Sequence, residues 1–487
     1  MRRVEPGVPY PLFDTQGTRA IEQHAQRQLA PYALVQRAGL SVARLALALA
    51  PHAHTIWIAA GPGNNGADGI EAGLHLHRWG KCVVISWLGA AATAGPEAAG
   101  AWQRARDAGV TFAPQPPAQF DFCVDALLGI GATRVPAGEM ALWIARMNQN
   151  KALVLAVDLP TGLVADTGQM ADVCVRASAT LSLLTLKPGL FTADGRDACG
   201  QIWFDPLGEE TQNTTPKPAV PVALLPSLPQ AGQREHASHK GSYGDVAIVG
   251  GAPGMAGAAL LAGSAALYCG AGRVFVALLD QPMRSVDAGQ PELMLRAVEQ
   301  LDLHAMVVVC GCGGADAIRA HLPRILSVAA RLVLDADALN AIAGDVQLQT
   351  QLRLRANRSW QTVLTPHPLE AARLLGTTSA DVQRDRLAAA TRLAQAFMCT
   401  VVLKGSGTII AHPAQTPVVN PTGNARLATA GTGDVLAGAI GAGLAAGLPD
   451  FRAACEAAYL HGRAADRWPQ ERALTASELA KAMHHPA

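Results

Sequence analysis

Thr55-Ile56-Trp57-Ile58-Ala59-Ala60 runs directly into Gly61-Pro62-Gly63-Asn64-Asn65-Gly66-Ala67-Asp68-Gly69, and that loop into the helical stretch Ile70 to Gly80 (IEAGLHLHRWG). Six residues without a charge read as a strand buried on both faces. The glycines supply a tight turn, and a helix follows at once. The same pattern recurs along the chain. KCVVISWL (81–88), FDFCV (120–124) and KALVLAV (151–157) continue it in the first half. DVAIVGG (245–251), GRVFVALL (272–279), MVVVCG (306–311), RLVLDAD (331–337) and TVVLKG (400–405) continue it in the second. Apolar strands alternating with helices build parallel sheets covered on both faces, so the fold class is α/β.

A chain of 487 residues is long enough for two or three such domains. Half of it is apolar and 16% is charged, which excludes a disordered chain. Its 39 basic and 38 acidic residues leave a formal charge of +1, without the electrostatic footprint of a nucleic-acid or anionic-membrane binder. Prolines 206, 216, 218, 221, 226 and 229 interrupt any periodicity between Asp205 and His239. This linker separates an expected domain at 1–211 from one at 222–487. The charge-free stretch between Asp245 and Arg273 is too rich in glycine for a membrane span and reads as strand, loop and small-residue helix. Residues 471–487 read as a polar helical tail. Nine scattered cysteines without metal-finger spacing suit a reducing compartment, and no apolar stretch follows Arg2 and Arg3. A cytoplasmic protein is expected.

The loop at 61–69 contains G-x-G-x-x-G between a strand and a helix, yet the next strand ends Ser86-Trp87-Leu88-Gly89 without the acid that would hold a ribose hydroxyl. An ordinary dehydrogenase is disfavoured, while the free N–H groups at the helix start still suit phosphate. Two further strands run into polar clusters: Asp125 followed by Leu128-Gly129-Ile130-Gly131-Ala132-Thr133-Arg134, and Asp158 followed by Pro160-Thr161-Gly162. Ligands of open parallel sheets bind beyond the carboxyl ends of strands, so Asn65, Asp125, Asp158 and Thr161 are expected to converge. A single strand-end Asp is more often a cap or a turn residue; three clusters together favour a site.

GPGNNGADG, VDALLGIG and VDLPTG resemble the motifs of the NAD(P)H-hydrate epimerase family over most of residues 1–211. The resemblance implies a Rossmann-like domain that interconverts the C6 epimers of hydrated NADH and NADPH (NADHX and NADPHX). It places Asn64, Asn65, Gly66, Ala67 and Asp68, and Gly129, Ile130, Gly131, Ala132, Thr133, Arg134 and Val135, along the substrate. Asp158 is implied as a substrate contact and the acid/base, and Asn65, Asp125 and Thr161 as ligands of K+. Ala67 stands where the family usually has Gly, which requires a negative φ there, and Thr161 where it usually has Ser. Lys187 in TLKPGL is a weaker pocket candidate, equally explained as an exposed loop lysine.

In the second half, Asn420-Pro421-Thr422-Gly423-Asn424 and Leu427-Ala428-Thr429-Ala430-Gly431-Thr432-Gly433-Asp434 precede a long apolar helix. Small residues leave backbone N–H groups free at its start, a nest for a phosphoryl group, with Asp434 beside it to take a proton. The absence of G-x-x-x-x-G-K-[ST] excludes a P-loop NTPase. With His239-Lys240-Gly241-Ser242-Tyr243-Gly244, GGAPGMAGAA, LDADALN and TPHPLE in order, this half resembles the ADP/ATP-dependent NAD(P)H-hydrate dehydratase family over roughly residues 222–487. That resemblance implies a ribokinase-like fold and Mg2+ with ADP or ATP as cosubstrate, ADP being the expected donor. It puts the hydrate near Ala258, Gly313, His367 and Asp434, and the nucleotide on Lys404, Gly405, Ser406, Gly407, Thr408 and Gly433. The family's G-P-G-L-G reads Gly311-Cys312-Gly313-Gly314-Ala315 here, and Ala430 replaces a common Gly.

The expected activity is repair of hydrated NAD(P)H, by epimerisation of the R and S forms and ADP-dependent dehydration of the S form, in a homo-oligomer. The competing reading is a ribokinase-like small-molecule kinase fused to a nucleotide-binding domain.

Overall fold

The computed structural model describes residues 1–131, 134–209, 219–227, 229, 236–279 and 286–483. It divides into two compact units, one of Met1–Glu5 and Tyr10–Ala223, the other of Pro6–Pro9 and Leu224–Ala487.

In the first unit, an eight-stranded sheet places Thr55–Ala60 between Cys82–Trp87 and Phe122–Ala126. Beyond Phe122–Ala126 come Leu153–Val157, Ala179–Leu183 and Gln201–Asp205, all parallel, with Arg2–Arg3 antiparallel at that edge. The two-sided burial expected of TIWIAA is met residue by residue. Ile56, Ile58 and Ala60 enter one core and Trp57 and Ala59 the opposite one. The chain crosses from Thr55–Ala60 to one neighbour and later returns to the other. A crevice therefore opens beyond the carboxyl ends of Thr55–Ala60 and Phe122–Ala126.

The second unit repeats this device. Asp245–Gly250 lies between Arg273–Leu278 and Val307–Cys310, followed by Arg331–Leu334, Gln361–Leu364 and Thr400–Leu403, all parallel. Ile409–His412 and Gln415–Val419 then add antiparallel, a departure from the all-parallel reading that a tight turn at Pro413-Ala414 makes possible. The uncharged stretch after Asp245 is indeed the strand and then the helix Ala256–Tyr268. That helix meets Thr432–Ala445 so closely that a Cβ at Gly438 would lie 2.0 Å from the Ala262 carbonyl oxygen, which only glycine permits. The tail helix Ala476–Ala482 is less polar in its packing than its sequence suggested, since Leu479 and Ala480 are wholly buried in the same core. No helix among the described residues is long and apolar enough to cross a membrane.

Candidate active sites

A cavity of about 620 Å³ occupies the crevice of the first unit. Asn64, Asn65, Asp68, Gly129, Ile130, Gly131 and Asp158 line it, together with Glu22 and Tyr32 from the N-terminal helical region. Other expected contacts lie elsewhere. Ala67, on the helix Asn64–Arg78, is buried in the core of the unit with the negative φ its side chain requires, and Gly66 packs against the Gly61 carbonyl. Arg134 and Val135 are exposed outside the lining, and Ala132 and Thr133 lie outside the described residues.

Beneath the loop, Asp125 is fully buried and joined to Thr161. The Thr161 hydroxyl donates to Asp125 Oδ1 at 2.7 Å, its N–H donates to Oδ2 at 2.8 Å, and Leu127 N–H donates to Oδ1 at 3.2 Å. The Leu128 N–H in turn donates to Thr161 Oγ1 at 3.0 Å, tying two strand-end loops together. Burial pushes the Asp125 carboxyl up to about 6 against the pull of these donors. Asn65 packs on Gly129, and its buried side-chain nitrogen has no partner among the described residues. An amide oxygen, a carboxylate and a hydroxyl are hard oxygen donors, a set that fits a K+ ion.

Asp158 ends Leu153–Val157 in a left-handed backbone conformation, φ +65°. Its Oδ1 accepts from the Leu183 N–H at 3.1 Å and pairs with the Lys187 ammonium, which is wholly buried. The reading of Lys187 as an exposed loop lysine is therefore overturned: TLKPGL folds inward, and the charge is neutralised under the site. Two more acids face the same cavity. Burial, then the charge of Asp158, raises Glu22, opposed by Lys187 and a hydrogen bond from Asn64. Asp68 stands well above its ordinary range through burial and the charges of Asp158, Glu22 and Glu71.

In the second unit, Gly431 (φ +89°) caps the helix Thr432–Ala445 and puts Asp434 in its first turn. The Thr432 hydroxyl donates to the Leu427 and Thr429 carbonyls at 2.8 and 3.0 Å. Buried His461 bonds the Thr432 carbonyl through Nε2 at 2.9 Å. Asn420 and Thr422 are structural: Asn420 donates to the Ala458 carbonyl at 2.9 Å and Thr422 to the Tyr459 carbonyl at 2.9 Å. Burial and then the charge of Asp335 push the Asp434 carboxyl up to about 7, against Cys312 and Lys404. Lys404 donates to Asp335 Oδ1 at 2.7 Å and passes close to Gly433. Burial disfavours this ammonium, but Asp335 and Glu370 outweigh the penalty and leave it above its ordinary value. Beside Asp434, one ligand atom each of Cys312, Asp335 and Asp434 lie within 4.8 Å of one another.

The expected hydrate contacts neighbour this cluster. Gly313 follows Cys312, and a Cβ on it would fall 2.9 Å from that of Ala258. His367 caps the helix Pro368–Leu375, its Nδ1 accepting from Leu369 and Glu370 N–H groups at 3.1 and 3.2 Å while Nε2 lies 3.2 Å from Glu370. Its ring is nonetheless 46% exposed at the side chain, so one edge stays open to a ligand. The loop from Gly405 to Thr408 is braced from below by buried Arg386, which donates to the Leu403 and Lys404 carbonyls at 3.3 and 3.2 Å. Glu22 and Asp335 were not singled out in the sequence, and Lys187 only as a weaker candidate. Only Asp335, at the end of RLVL, carried the strand-end signal.

Two α/β units, each with an acid at a strand end or helix start beside amides suited to phosphate, make a two-site enzyme acting on nucleotides. A family model described as NAD(P)H-hydrate dehydratase matches residues 246–485, and one described as YjeF-related protein N-terminus matches 31–189. The bifunctional NAD(P)H-hydrate repair enzyme Nnr of Escherichia coli is 33% identical over 480 residues, covering 96% of this chain and 91% of that one. The ADP-dependent (S)-NAD(P)H-hydrate dehydratase of Neisseria meningitidis is 47% identical over 254 residues, 51% of this chain and 84% of that one. A solved ADP/ATP-dependent NAD(P)H-hydrate dehydratase from Bacillus subtilis is 30% identical, with a TM-score of 0.44, and covers 52% of this chain and 91% of its own. The chain belongs to the bifunctional NAD(P)H-hydrate repair enzyme family.

Proposed function

We propose that the chain restores hydrated NADH and NADPH in two steps, epimerising the C6 hydroxyl in the unit at 1–211 and removing it in the unit at 222–487, with ADP as phosphoryl donor, in the cytoplasm. The observation that carries the dehydration step is the place of Asp434 in the first turn of the helix Thr432–Ala445, where burial and the charge of Asp335 push its carboxyl up to about 7. Hydroxide is a poor leaving group. Asp434 takes the C6 hydroxyl proton as that oxygen attacks the terminal phosphorus of ADP, and AMP departs. The amides of Gly431 and Gly433 hold the phosphoryl group as its charge shifts, while the Thr432 N–H is taken by the Thr429 carbonyl at 3.4 Å. The ring-nitrogen lone pair then expels phosphate, and loss of the C5 proton restores the dihydropyridine. Mg2+ bound with the nucleotide would offset the phosphate charge, while Lys404, held by Asp335, supplies a fixed positive charge next to Gly433.

In the first unit, Asp158 takes the C6 hydroxyl proton. The C6–N1 bond opens as the carbonyl forms, its electron pair passing to N1 and into the conjugated carboxamide. Closure on the opposite face returns the proton and gives the other epimer. Asn65, Asp125 and Thr161 would hold K+, which would anchor the substrate's negative charge at the loop. Incubating the chain with mixed hydrates and ADP tests the reading: the dihydronicotinamide absorbance returns, and both epimers are consumed. Absence of that return would overturn it.

A further inference from the structure

The opening of C6–N1 needs a carboxylate oxygen held toward the hydroxyl, and the surroundings of Asp158 identify what holds it. Lys187 has no solvent exposure. A buried ammonium is tolerated only when paired and fully hydrogen-bonded. Besides Asp158 Oδ1, it donates to Ser182 Oγ at 3.3 Å and to the Leu183 and Thr185 carbonyls at 3.0 Å each. Three N–H groups meet four oxygens, so none is left for a ligand.

The backbone on both sides of this ammonium is strained. Asp158 has φ +65° and Leu184 φ +63°, conformations that non-glycine residues hold only when their surroundings impose them. The result is asymmetric. Asp158 Oδ1 carries both the Lys187 and the Leu183 N–H bonds, whereas Oδ2 has no partner among the described residues. Asp158 lines the cavity; Lys187 does not.

We propose that Lys187 is a positioning residue of the epimerisation site: by fixing Oδ1 from beneath the strand end, it turns Oδ2 of Asp158 into the cavity, where that oxygen meets the C6 hydroxyl. The proposal rests on the epimerase reading above. The bland alternative is a lysine that only staples the turn at 183–185, which would affect folding but not the turnover of folded enzyme.

The test uses the full chain with (R)-NADHX, following epimer composition by chromatography, with Lys187→Met, Asp158→Asn and the double variant. Lys187→Met lowers kcat by about 100-fold, within the range attributed to one positioned acid/base, and leaves KM within about threefold. Because Lys187 acts through Asp158, the double variant is no slower than Asp158→Asn alone. Should Lys187→Met not fold, Lys187→Arg keeps the charge but not the four-oxygen fit, and lowers kcat by about tenfold or more with KM unchanged. Wild-type kcat in a folded Lys187 variant, a loss confined to KM, or losses that multiply in the double variant would overturn the inference. A wild-type chain that leaves (R)-NADHX untouched would instead overturn the epimerase reading itself, and the inference with it.

Discussion

The two units place an aspartate and a lysine at the ends of parallel strands but couple them differently. In the first, Lys187 bonds directly to Asp158, the acid facing the cavity. In the second, Lys404 bonds to Asp335 and only partly offsets the burial and the Asp335 charge that push the Asp434 carboxyl up to about 7. The same pair of residue types thus gives a carboxylate held directly by its lysine in one unit and, in the other, a carboxyl that burial and a neighbouring acid raise. The partner of the lysine, rather than its presence, distinguishes the electrostatics of the two sites.

The largest test of this contrast is Asp434→Asn, which lowers the rate of ADP-dependent dehydration about 10³-fold, measured by return of the dihydronicotinamide absorbance. Asp158→Asn lowers conversion of the R epimer by about 10²- to 10³-fold while the S epimer is still dehydrated. If it abolished S-epimer dehydration instead, the division of labour would be wrong.

The pH dependence separates the acids next. Dehydration rises from about pH 6 to 8 as Asp434 loses its proton. Stability moves the other way. A carboxyl raised in the folded state contributes stability that is present below its ordinary value of 3.8 and is lost as pH rises through about 7. Asp434→Asn therefore flattens the decline in Tm between pH 5 and 8, and calorimetry at several pH values reads this directly. A parallel decline in both proteins would mean that Asp434 is not the raised group.

Smaller effects follow from groups that serve one unit's loops. Thr161→Val leaves Asp125 and the Leu128 N–H short of a partner, costing about 1–3 kcal/mol, and weakens the dependence of epimerisation on K+. His367→Ala removes a helix cap worth about 1 kcal/mol and raises the KM for the hydrate more than it lowers kcat; thermal melts and initial rates distinguish the two contributions.

The parts legible in sequence were those that are local in the chain. Apolar runs leading into Asp125, Asp158 or Asp335 announce strands and their carboxyl ends, and the glycine-rich stretch before Val435 announces a helix start. The pairing of Asp158 with Lys187 spans 29 residues and depends on a turn whose strain no periodicity reveals. Glu22 reaches the cavity from an amphipathic helix, where an acid is ordinarily a solvated surface residue. The hairpin Ile409–His412 and Gln415–Val419 was hidden for another reason: its second strand is short and half polar, and pairs only because the sheet edge is already there.

The most direct measurement is a single progress curve on an equal mixture of R and S hydrates with ADP. The wild-type chain should consume the mixture completely, whereas Asp158→Asn should stop close to half, leaving the R form, and Asp434→Asn should regenerate almost no dihydronicotinamide. Full consumption by Asp434→Asn at the wild-type rate would contradict the assignment of phosphoryl-linked proton transfer to that carboxylate.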